Sequence, residues 1–117
     1  MPITVHNGLT LLELDPAGPL LAAEQDALDL IGETYGTGAD IIVVPLARLD
    51  PQFFELRSGM AGAFIQKLQN YQKRLVVLGD IAAETAASKS LRDFVYETNR
   101  VGHHLFAPDR ETMLARL

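Results

Sequence analysis

The chain has 117 residues, no cysteine, a net charge of −5 and 48% hydrophobic residues. This length fits one domain spanning residues 1–117, with a core that needs no disulfide or metal, and the missing cysteines exclude thiol nucleophiles, Cys-type zinc sites and iron–sulfur clusters and fit a reducing compartment. The ten Lys and Arg are scattered, which leaves no dense cationic surface to displace counterions from phosphates, so nucleic-acid binding is not expected.

The start, Met1-Pro2-Ile3-Thr4-Val5, lacks the basic-then-apolar order of a secretory leader. The longest strongly apolar run, Ile41 to Leu46, is too short to span a bilayer. No membrane association and a cytoplasmic location are therefore expected. Ile3 to His6 reads as a strand, His6-Asn7-Gly8 as a tight hairpin turn and Leu9 to Leu14 as the return strand. The breaker cluster Asp15-Pro16-Ala17-Gly18-Pro19 ends it. Leu20 to Tyr35 then reads as a helix with Leu21, Ala27, Leu28, Ile31 and Tyr35 on its apolar face, stopped by Gly36 and Gly38.

Asp40 to Pro45 contains a continuous β-branched run that suits a strand covered on both faces. Asp50-Pro51 signals a helical turn through Phe53 and Phe54. A second helix is expected over Gly59 to Gln72, with Ser58 as its cap and Met60, Phe64, Leu68 and Tyr71 on one face. Leu75 to Leu78 reads as the next buried strand. Ala82 to Asn99 reads as helical with a break between Thr85 and Ser88, and Ser90-Leu91-Arg92-Asp93 matches a capping box. His104 to Ala107 is a short last strand, and Pro108-Asp109 opens a helix that Met113, Leu114 and Leu117 dock. The expected fold class is α/β: a mixed sheet of about five strands, an N-terminal hairpin followed by parallel β-α-β units, with helices packed on it.

Three stretches, "EQDALDLIGETYGTGADIIVVPLARLDPQFFELRSGMAG", "NYQKRLVVLGDI" and "SKSLRDFVYETNR", make the chain resemble an uncharacterised bacterial family, the domain of unknown function "forty-one-eighty". More distantly it resembles the STAS domain, the fold of anti-sigma factor antagonists, in which an apolar strand leads to a helix opening with Asp-Ser-Ser-Gly. Here Ser58-Gly59 falls where that fold carries its phosphorylatable serine. Leu56 and Arg57 stand in the region of the motif's acidic residue, and Phe53-Phe54 lengthen the connection. The STAS resemblance implies a single STAS-like domain with a regulatory role.

Ser58 admits two readings: an ordinary helix cap, or an anion or phosphate position beside Arg57 and Gly59 at a helix start. The small residues Gly59, Ala61, Gly62 and Ala63 suggest close packing of the helix, and the Lys and extra glycines of a P-loop are missing. Asp80 follows a buried strand, where open α/β sheets bind ligands. With Arg48, Asp50 and Ser88 it could line a pocket near Arg57 and Ser58, or brace the following helix. Arg92, Tyr96 and Arg100 lie on one helical face as a solvated surface or a partner-binding one. His103 and His104 are neighbours on a strand and point apart, so no metal is expected, nor any cofactor. No catalytic residue is assigned.

These readings favour a non-enzymatic regulatory or protein-interaction module, switched at Ser58, whose partner is another protein or a second copy of itself. The alternative is a protein or enzyme that binds a small anionic ligand near Arg57, Ser58 and Asp80. A homodimer burying Phe53-Phe54 is a third reading, against their place in the core.

Overall fold

The computed structural model describes residues 3–117. Met1 and Pro2, part of the stretch read above for a leader, lie outside them. Five strands form one mixed sheet: β1 (Ile3–His6), β2 (Leu9–Glu13), β3 (Ile41–Pro45), β4 (Arg74–Leu78) and β5 (Leu105–Ala107). They lie side by side in chain order; β1 and β2 are antiparallel and every later pair is parallel. Asn7 and Gly8 both have positive φ, the backbone a two-residue hairpin turn requires.

Five helices join or cover these strands: α1 (Glu24–Glu33), α2 (Met60–Asn70), α3 (Ala82–Ala87), α4 (Lys89–Val101) and α5 (Arg110–Arg116). Parallel neighbours in sequential order, joined by crossovers of one hand, bring their helices to one face. On that face Ala27, Leu30 and Ile31 of α1, Ala61, Phe64 and Leu68 of α2, and Leu91 of α4 pack on Leu12, Ile42, Val44, Leu75, Val77 and Phe106. The alternate residues Leu11, Ile41, Val43, Val76 and Leu105 face the other way and are covered by Met113 of α5. The β-branched run is thus buried on both faces, as its composition requires. Each fully buried side chain of this kind is worth about 1.5–3 kcal/mol.

α5 is fastened at three points. Arg110 donates two hydrogen bonds to Glu13 at 2.9 and 3.1 Å, the His6 ring meets Leu114 O at 2.9 Å, and Arg116 donates to Asn99 O at 2.8 Å. The Arg110 guanidinium holds the Glu13 carboxyl below the usual carboxylate range, with Thr4 also donating to it.

Several local expectations are corrected. The first helix begins at Glu24, not Leu20, because Leu21 forms a bridge with Leu49: Leu21 N donates to Arg48 O at 2.6 Å and Asp50 N to Leu21 O at 3.1 Å. The Asp26 carboxylate then accepts from Ala22 N and Ala23 N, and starts the helix. That helix ends before Tyr35, which is 75% exposed, and Leu30 takes its place in the core. Tyr71 lies beyond the second helix and is also exposed. Gly62 is exposed and a Cβ placed on it would meet nothing within 4 Å, so of the small residues in α2 only Ala61 is buried. The break in the long helical stretch falls at Ser88, which caps α4 by accepting from Leu91 N at 3.1 Å; Ser90 lies inside the helix. The last strand begins at Leu105, one residue after His104.

Candidate functional site

Between β3 and α2 the chain makes three single-turn 3-10 helices, Leu46–Arg48, Pro51–Phe54 and Leu56–Ser58. Asp50 starts the second by accepting from Gln52 N at 2.9 Å, with Pro51 at the first helical position. Phe53 and Phe54 are buried and meet edge to face with ring centroids 5.3 Å apart, and Phe53 meets Phe64 at 6.0 Å. These rings anchor the segment to the core.

The outer side of this segment forms one wall of a groove of about 700 Å³, with Pro51, Phe54, Glu55, Leu56 and Arg57. The opposite wall is Ala83, Glu84, Ala87, Ser88, Ser90 and Leu91 of α3 and α4. Phe54, Leu56, Leu91 and the two alanines supply its apolar surface. Glu55 and Glu84 place two carboxylates there against the single guanidinium of Arg57. Arg57 is exposed and makes no hydrogen bond or ion pair among the described residues.

Ser58 stands behind the first wall rather than in it. Gly59, at φ +74°, occupies the N-cap position of α2, a left-handed backbone that suits glycine. The exposed Ser58 hydroxyl nevertheless serves the helix: Oγ accepts from Met60 N at 3.1 Å. It also donates to Gln52 O at 2.9 Å. One hydroxyl therefore ties the Pro51–Phe54 turn, whose ends Pro51 and Phe54 line the groove, to the start of α2. Ser58 N donates to Glu55 O at 2.9 Å and closes the last 3-10 turn.

The other residues of the expected pocket do not converge on this groove. Asp80 accepts from Ala82 N at 2.9 Å, which turns the chain into α3. Arg48 donates to Pro19 O at 2.8 Å and Asp15 O at 3.0 Å, pinning the loop before α1. Of the expected pocket residues, the structure brings Arg57 and Ser88 together in one groove, with Ser58 and Gly59 adjoining. Nothing in the local sequence marks Glu55, Leu56, Glu84 and Leu91 as site residues. They come from separate segments and meet only through the tertiary fold.

On α4, Tyr96 and Arg100 line a second, shallower groove of about 350 Å³ with Asn99 and Arg116; Arg92 is exposed outside it. Arg116 is not marked as a site residue by its local sequence, since α5 delivers it. Arg100 pairs with Glu97, whose carboxyl it holds below the usual range.

His6 and His104 take structural places, and His103 and His104 precede the last strand with their rings edge to face at 4.6 Å instead of pointing apart. His104 is 8% exposed; its Nδ1 accepts from Leu75 N at 3.0 Å, so Nε2 carries the proton and donates to Gln69 Oε1 at 3.1 Å. Burial, then the neighbouring His103 and Arg74, push the His104 pKa down to about 4.

No described helix is long and apolar enough to cross a membrane. The model of the family described as "Domain of unknown function (DUF4180)" matches residues 6–117. No curated protein and no solved structure matches the chain.

Proposed function

We propose that this chain, which belongs to the DUF4180 family over nearly its whole length, is a non-enzymatic interaction module that seats a polypeptide segment in the groove beside Arg57, with Ser58 as its switch. The observation that carries this reading is the double use of the Ser58 hydroxyl, which joins Gln52, in the 3-10 turn between the wall residues Pro51 and Phe54, to Met60 in α2. A phosphate on Ser58 has no proton to donate to Gln52 O and repels that carbonyl. It remains attracted to the first N–H groups of α2 and to Arg57. Modification would thus favour α2 and release the wall.

The strand order, with three crossover helices on one face, supports a STAS-like reading of the fold. The position of Ser58-Gly59 between the third strand and the second helix supports it further. An anionic small ligand is the weaker reading of the groove. Glu55 and Glu84 oppose it, whereas a segment with apolar and basic side chains matches both the surface and the charge.

Affinity capture from a lysate of the source organism tests the proposal, with wild type, Ala83→Arg and Ser58→Asp as baits. Ala83 is exposed in the groove wall, so its arginine fills the groove without disturbing the core. A protein held by wild type and lost from both variants is expected. Equal capture by all three baits would overturn the groove, and a partner lost only from Ala83→Arg would overturn the switch.

A further inference from the structure

The two edges of the sheet are finished differently. At β5 the Asn99 side chain occupies the strand's outer groups, accepting from Phe106 N at 2.8 Å and donating to Phe106 O at 3.1 Å. At β1, no strand among the described residues pairs with the outer edge. Ile3, Thr4, Val5 and His6 include none of the lysines, prolines or acids that normally guard an edge. Ile3 is 40% exposed and Val5 69% exposed.

The register says which backbone groups this edge offers. Thr10 turns its carbonyl to the β3 side, where it accepts from Asp40 N at 3.3 Å. Thr10 and its partner Val5 are therefore a non-hydrogen-bonded pair of the hairpin, and Val5 directs its N–H and C=O outward. Alternation gives Ile3 the same orientation, while Thr4 and His6 bond to β2.

We propose that β1 pairs antiparallel with β1 of a second copy, about a two-fold axis at Thr4, to make one continuous ten-stranded sheet. The edge is complementary to itself. Its two outward-facing residues are two apart, so the axis sets Ile3 against Val5 of the partner subunit and Val5 against Ile3 of the partner subunit. Each of these pairs exchanges two backbone hydrogen bonds, and the exposed apolar side chains meet on the same face. The edge shares no residue with the groove beside Arg57, so the assembly stands or falls independently of that groove.

The chain has no cysteine, so introduced thiols report the register directly. Thr4 and its symmetry mate would form a non-hydrogen-bonded pair with Cα atoms about 4.5 Å apart, within disulfide reach. Val5 and its mate would be offset along the strands and out of that reach. Mild oxidation of the Thr4→Cys protein should give a covalent dimer, and that of Val5→Cys should leave monomer. Sedimentation of the cysteine-free protein should show mass rising with concentration, with the rise lost in Val5→Lys and kept in Ala83→Arg. Circular dichroism confirms that each variant is folded. A wild type that stays monomeric at every concentration would overturn the proposal. So would equal cross-linking of Thr4→Cys and Val5→Cys, or a dimer that survives Val5→Lys. Pairing of β1 with a strand of a different protein instead would appear as a monomer and count against it.

Discussion

Asn99 binds Phe106 through both ends of its amide, accepting from the backbone N–H and donating to the backbone C=O. One side chain of α4 thus stands in for a sixth strand. Its backbone carbonyl also accepts from Arg116, so the residue joins α4, β5 and α5. Asn99→Ala leaves two half-buried backbone groups without these partners. A loss of about 1–3 kcal/mol is predicted, read as a lower urea midpoint at unchanged slope. A midpoint equal to wild type would show that the edge needs no such cover.

Gly79 and Gly62 make a contrasting pair. Gly79 has φ +153°, and a Cβ there would lie 2.6 Å from Leu46 Cβ, an atom close to the backbone that cannot swing away. Gly62 sits within α2 with nothing near it. Gly79→Ala is predicted to destabilise by about 2–4 kcal/mol. Gly62→Ala is predicted to stabilise by about 0.5–1 kcal/mol through helix propensity. Thermal or urea unfolding of the two variants checks both signs.

His104 sets a pH dependence. Its folded pKa of about 4 lies below the ordinary 6.5, so the unfolded chain binds a proton on this ring more readily than the native protein does. Its contribution is complete above pH 6.5, falls as pH drops, and is gone below about 4. Protonation puts a second donor opposite Leu75 N–H. The carboxylates held below their usual range, Glu13, Asp26, Glu97 and Asp109, lose their contributions only at lower pH. Between pH 6.5 and 4.5 the decline therefore belongs mainly to His104. The melting temperature of wild type should fall across this interval and that of His104→Gln should stay nearly flat. Parallel profiles would contradict the assignment.

The sheet was legible in the sequence because its strongest signals are local. The β-branched run Ile41–Val44, the run Leu75–Leu78 and the Asn7-Gly8 turn each announce themselves within a few residues. The errors came where distant backbone decides. Leu20-Leu21 continues a helical pattern, yet Leu21 is claimed by Leu49. Ser88 and Ser90 are both good caps by type, and the turn out of α3 selects Ser88. Phe53 and Phe54, which alone suggest either an interface or the core, enter the core because Phe64 lies across from them. The groove was half legible. Arg57 and Ser88 were singled out by residue type, but its acidic side, Glu55 and Glu84, arises from two segments that only tertiary packing brings together.

Ser58 is the residue on which the functional account turns, and its role as a tie is measurable without any partner. Amide hydrogen exchange of Phe53 and Glu55, whose N–H groups close the wall's 3-10 turns onto Asp50 O and Gln52 O, should be compared in wild type, Ser58→Ala and Ser58→Asp. Both variants remove the hydrogen bond to Gln52 O, while Asp keeps an acceptor for the start of α2. Exchange at the two amides is predicted to rise about tenfold, the equivalent of one lost hydrogen bond, in both variants. The amides of α2 should be loosened in Ser58→Ala and preserved in Ser58→Asp. Unchanged exchange at Phe53 and Glu55 in Ser58→Asp would contradict the account and leave Ser58 with its helix-capping role alone.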